Sequence, residues 1–155
     1  MGKLIWHEHA RYVSLTATVY TVWAAYFGLV YRKFFWDFVS GIRRNPGGIQ
    51  PAKQDAFFID IMVKIPLIQI FAIILGLVIL VFEYPVPFVK RYAAYRSLVF
   101  RVVLLFFQTF LAIMFYQGTN GAIWSLVAIF GYSRAIMLGE VMKDAQDNKA
   151  RRERA

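Results

Sequence analysis

Residues 65–82, IPLIQIFAIILGLVILVF, run without a charge from Lys64 to Glu83. As a helix this run spans roughly 26 Å at about 1.5 Å per residue. That is close to the roughly 30 Å hydrocarbon core of a bilayer, and the apolar approach over 57–63 supplies the remaining length. The run carries almost no amphipathic period, so it does not read as one face of a soluble core helix. It reads as a membrane span. Three further stretches repeat the pattern, placing spans at about 12–31, 57–82, 98–116 and 122–138 in one membrane domain over 1–155.

The expected fold is therefore all-α, a four-helix transmembrane bundle. Hydrophobic residues make up 59% of the 155 residues, above the roughly 45–50% of a soluble domain. The net charge of +9 would suggest nucleic acid in a soluble protein, but here the basic residues flank apolar spans. Anionic lipid headgroups are the expected contact, not nucleic acid. The chain has no Cys, which removes disulfides, thiol redox chemistry, palmitoylation and Cys-based zinc sites. Trp6 occupies the position where a myristoylation signal needs Ser or Thr.

Span one holds Ala17, Thr21 and Ala25 at i, i+4, i+8, with Ala24 and Gly28 beside them. Small residues let helix backbones approach closely where lipid offers no hydrophobic drive, so this face is expected to pack on other helices. Ser14, Thr16, Thr18 and Thr21 could instead line a polar path; packing is the favoured reading. After the span, Phe34, Phe35, Phe38, Val39 and Ile42 recur at helical spacing opposite Lys33, Asp37, Arg43 and Arg44. This predicts a short interfacial amphipathic helix at about 33–42, ended by Asn45-Pro46-Gly47-Gly48. Trp6 is likewise expected in the headgroup layer.

In span two, Asp60 and Lys64 are spaced for an i, i+4 ion pair, and Pro66 is placed to kink the helix. Gln69 and Gln108 both fall near mid-bilayer, and a hydrogen bond between them would satisfy two costly amides. Glu83 is expected to pair with Arg101 or Arg134; the alternative has Arg101 and Arg134 holding an anionic lipid headgroup. Residues 117–121 read as a tight turn between spans three and four. Span four should continue a few turns into water before the charged tail, 140–155, frays.

Ten basic residues lie on the side of the termini and the 83–97 turn, against six on the other, so both termini are expected in the cytoplasm. His7 and His9 stand at i, i+2 with no further His to complete a metal site, and no cofactor motif is present. No hydrolase elbow, His-Glu-x-x-His or other catalytic arrangement appears, so the expected protein is not an enzyme.

The segments MGKLIWHEHARYV, FFWDFVSGIRRNPGGIQP and FYQGTNGAIWSLVAIFGYSRA resemble a family of small four-span membrane proteins of filamentous fungi whose function is unknown. The resemblance implies a four-helix membrane topology and brings no catalytic residues. The expected role is a non-enzymatic accessory or stabilising subunit of a larger integral membrane protein, of the ion-pump or cell-wall polymer synthase class. It would lie in the plasma membrane or an endomembrane. The alternative is a homo-oligomeric channel or transporter, or a lipid-handling protein.

Overall fold

The computed structural model describes residues 4–31, 57, 60–84, 87–142 and 145–146. It is all-helical. Four long helices carry the fold: α1 (Trp6–Tyr31), α2 (Leu67–Glu83), α3 (Leu98–Ile113) and α4 (Thr119–Met137). Each packs antiparallel to its two neighbours in the ring, with α1 between α2 and α4 and α3 closing the other side. Among the described residues, α1 alone is long and apolar enough to cross a membrane by length and hydropathy; α2 and α3 are shorter apolar helices of 17 and 16 residues.

Helix boundaries depart from the sequence expectation at four places. α1 begins at Trp6, two turns before the expected start, so the segment that reads as an interfacial lead-in is part of the helix. The stretch from 57 is not one helix. A π-helical turn, Asp60–Lys64, ends at Ile65, because the ring of Pro66 pushes the preceding residue away from helical torsions. Regular helix resumes only at Leu67. The Asp60–Lys64 ion pair forms on that turn at 2.7 Å.

The turn before α4 sits earlier than expected, at 114–118. Phe115 is extended and fully buried there, and Thr119–Gly121 already form the first turn of α4. Finally, α4 does not run on into water. Gly139 takes φ 68°, the left-handed conformation that closes a helix, and Glu140 N–H reaches back to Ala135 O at 3.0 Å. The predicted interfacial helix at 33–42, with Phe34, Phe35 and Phe38, lies outside the described residues, as does most of the tail.

Small residues set how closely the helices approach. Ala17, Thr21, Ala24, Ala25 and Gly28 of α1 are all buried, as the i, i+4, i+8 pattern predicts. A Cβ on Gly121 of α4 would overlap Thr21 Oγ1 and lie 3.2 Å from Thr21 Cβ; one on Gly131 would lie 2.9 Å from Ala10 Cβ. The α1–α4 seam is thus a backbone-to-backbone contact with no room for a methyl group.

Inside, two apolar clusters, around Ile79, Leu105 and Tyr132 and around Ile68, Ala72 and Phe115, alternate with polar side chains, while large apolar side chains face outward. Ser14, Thr18, Thr21, Gln69, Glu83, Arg101, Gln108 and Ser125 are buried in the interior. Outside, Val99, Val103, Phe106, Phe110 and Ile113 of α3, and Ile74, Leu77 and Val81 of α2, are exposed. Phe106 and Phe130 stand 61% and 66% open.

Candidate functional site

The interior polar residues form layers along the bundle axis. In the first, every helix contributes one side chain: Ser14 from α1, Glu83 from α2, Arg101 from α3 and Tyr132 from α4. The last turn of α2 and the first turn of α3 meet at the same end of the bundle, which brings Glu83 and Arg101 together. Ser97 fixes where α3 starts, its Oγ accepting from Phe100 N–H at 3.2 Å.

Arg101 Nη1 donates to Glu83 Oε2, and the pair is 2% and 1% exposed. The carboxylate also accepts from Tyr132 O–H at 2.8 Å and from Ser14 Oγ at 2.9 Å. Arg101 Nη2 donates to the carbonyls of Phe82 (3.1 Å) and Tyr95 (3.3 Å), and its guanidinium lies 5.3 Å from the centre of the Tyr95 ring. Arg11 Nε closes the layer from the side by donating to the backbone carbonyl of Glu83 at 2.9 Å. A buried carboxylate and guanidinium are tolerable only when they are paired and most of their remaining valences are met; here the surrounding helices and the Tyr95 carbonyl supply those partners, and Arg101 Nε alone of this pair is buried without one.

Arg134 is placed elsewhere. It is exposed on α4 and joins no ion pair among the described residues, so Glu83 resolves its two expected partners in favour of Arg101. The reading in which Arg101 and Arg134 grip one headgroup is corrected by the same geometry. Arg101 is sealed inside the bundle, while Arg134 faces out.

The second layer joins Thr18, Gln108 and Ser125. Gln108 Nε2 donates to Ser125 Oγ at 2.8 Å and lies 3.2 Å from Thr18 Oγ1, and Ser125 Oγ donates to Gly121 O at 2.7 Å. The expected Gln69–Gln108 bond does not form. Gln69 is buried further along the axis, against Gly28 and Phe115, where a Cβ on Gly28 would meet Gln69 Cγ at 3.0 Å. Both glutamines do sit in helix packing, but against α1 and not against each other. That both glutamines lie on helices was legible from the sequence; the rotation that aims Gln108 at α1 and α4 was not.

A third cluster ties the start of α1 to the residue that follows the end of α4 at Gly139. The Glu140 carboxylate accepts from the backbone N–H groups of Trp6 (3.0 Å) and His7 (2.9 Å), and meets His7 Nδ1 at 2.8 Å. It satisfies two of the open donors at the start of α1, with its negative charge at the positive end of that helix. Slight burial pushes the carboxyl up. The two backbone amides and the His7 ring outweigh that and hold it below its ordinary value. Trp6, expected in the headgroup layer, is half-buried with its ring edge on Phe130, 6.4 Å between centroids. Tyr132, Ser14 and Glu140 carry these clusters, and sequence reasoning singled out none of them in these roles. The Ser14, Thr18, Thr21 spacing on α1 was the available signal.

Chemically, the layers bind helices to one another. Each acid and base in the first layer is consumed by an internal partner, and among the described residues no three His, Asp or Glu side chains gather as metal ligands. Comparison with curated proteins and with solved structures gives no match. A family profile does match, over residues 1–140, and by it the chain belongs to DUF7727, a domain of unknown function.

Proposed function

We propose that this chain is an integral membrane protein of four spans, both termini cytoplasmic, that serves as a non-enzymatic accessory or stabilising subunit of a larger membrane protein. The exposed apolar exterior supports the membrane placement. Water would leave the exposed Phe, Val and Ile side chains of α2, α3 and α4 uncovered, whereas lipid tails cover them. From Arg11 to Tyr31, α1 covers roughly 30 Å, the thickness of a hydrocarbon core. α2 and α3 are shorter than this and would be completed by the turns at 60–66 and 114–118.

The observation that carries the accessory role is the outer face of α1. Tyr12, Thr16, Val19, Trp23, Tyr26 and Val30 follow one another along it, and Trp23 is 63% exposed well inside the helix. Four of these six carry an O–H or N–H, whereas the outer face of α3 (Val99, Val103, Phe106, Phe110, Ile113) carries none. Lipid tails offer no acceptor to an indole N–H, but a partner helix does. The interior, meanwhile, spends its polar groups on its own assembly.

The test is gentle-detergent purification of chains carrying a photocrosslinking residue at position 23 or at position 106. One much larger protein should co-purify in fixed ratio and crosslink from 23 but not from 106. If only copies of the chain itself appear, the homo-oligomeric channel or lipid-handling reading replaces this one.

A further inference from the structure

Arg101 is sealed inside the bundle, so the anionic headgroup expected from the sequence has no place beside it. The connection between α2 and α3 offers one. Residues 87–97 of that connection hold two short 3-10 turns, Val89–Arg91 and Ala94–Arg96. They are held from beneath. Val89 and Tyr95 are buried, and Arg101 Nη2 donates to the Tyr95 carbonyl at 3.3 Å. Arg96 Nη1 donates to the Lys90 carbonyl at 3.1 Å, which ties the second turn to the first.

This fixed frame carries exposed aromatic rings and basic charge. Phe88 and Tyr92 are 63% and 53% exposed, and their rings meet edge-on at 5.5 Å as one unit. Lys90, Arg91 and Arg96 stand in the same stretch, and no Asp or Glu occurs in the sequence from 84 to 139. The two acids that flank this range are spent elsewhere, Glu83 on Arg101 and Glu140 on the first amides of α1.

We propose that the 87–96 connection binds anionic phospholipid headgroups of the surrounding leaflet. Phe88 and Tyr92 sit where headgroups meet acyl chains, and the basic side chains meet the negative charge. Position selects lipid as the occupant. Val81 in the last turn of α2 and Val99 in the first turn of α3 are both exposed, so in the membrane acyl chains reach each end of the connection. The headgroup layer begins where those chains stop. A pair of rings carrying one hydroxyl suits that boundary, apolar on one side and wet on the other.

Charge selects the anionic class. A stretch with three basic residues and no acid gains from a negative surface, and the cytoplasmic leaflet, toward which the orientation above turns this connection, supplies one. The proposal rests on the membrane placement above but not on any protein partner.

The test uses the full chain with an environment-sensitive fluorophore on Ala93→Cys. Ala93 is exposed and the chain has no native Cys, so both rings and all three basic residues stay in place. In phosphatidylcholine nanodiscs the emission should be blue-shifted from that of the free dye in water. It should shift further as phosphatidylserine replaces phosphatidylcholine, and about 1 M salt should abolish this second shift. Lys90→Gln keeps the backbone carbonyl that Arg96 grips. It should raise the phosphatidylserine fraction needed for half of the second shift by about fivefold. Both leaflets of a nanodisc carry the same lipid, so the result does not depend on orientation.

Water-like emission in every lipid overturns the proposal. A second shift that is absent, indifferent to salt or unchanged in Lys90→Gln overturns the anionic selection. A blue shift that appears only when a larger protein co-purifies gives the connection to that protein instead. A chain that stays monodisperse in buffer without amphiphile defeats the membrane reading itself. A chain that needs amphiphile yet gives water-like emission at position 93 defeats only the headgroup site.

Discussion

Gly121→Ala is the sharpest test of how the bundle is held together. The added Cβ would overlap Thr21 Oγ1 and stand 3.2 Å and 3.3 Å from Thr21 Cβ and Cα, of which the last is backbone and cannot rotate away. Restoring an ordinary contact of about 3.5–4.0 Å parts α1 from α4 locally by roughly half an ångström or more, and a gap of that size forfeits a quarter or more of each contact's attraction. Overpacking of this kind costs about 1–3 kcal/mol, so about 2 kcal/mol is expected.

The double substitution separates this from a general helix effect. Thr21→Ala removes the overlapping oxygen, whose own bond is only the local one to Ala17 O at 2.8 Å. Gly121→Ala in that background should then be milder by about 1 kcal/mol, the size of coupling expected between touching residues. The assay is reversible unfolding in mixed micelles titrated with a denaturing detergent. Unchanged stability in Gly121→Ala, or the same loss with and without Thr21, would refute the close-seam argument.

Arg101→Met leaves Glu83 buried with only Tyr132 and Ser14 as partners and should destabilise by about 3–5 kcal/mol. Tyr132→Phe, which removes one donor to a charged acceptor, should cost about 1.5–3 kcal/mol in the same titration. Gln108→Leu should cost about 0.6–2 kcal/mol, and its effect should add to that of Gln69→Leu without coupling, because the two amides do not meet. The Glu140 carboxyl is held below its ordinary value, so the stability it contributes is present above about pH 4.5 and lost as pH falls through the lowered value. A Trp6 fluorescence change at that acid transition, absent in Glu140→Gln, is the expected result.

The sequence showed the four helices and the small face of α1, because those follow from runs and spacing within one segment. Partner choice did not. Glu83 had two candidate cations toward the same end of the bundle, and only the rotation of α3 and α4 about their axes decided between Arg101 and Arg134. The same rotation turned Gln108 toward Thr18 and Ser125. Helix ends failed where a residue distant in sequence supplied the cap: α1 starts early because Glu140, more than 130 positions away, meets its first amides. At Pro66 the local chemistry was visible and only its consequence, a break in place of a kink, was underestimated.

What the account depends on most is that lipid contacts the outer faces of α2, α3 and α4, whose large apolar side chains are exposed. The chain has no native Cys, so a single spin label can be placed at position 106 or at position 105, which is fully buried. In nanodiscs, the label at 106 should collide far more often with dissolved oxygen than with a water-soluble nickel chelate, and the label at 105 should collide little with either. A label at 106 quenched mainly by the nickel chelate would contradict the account.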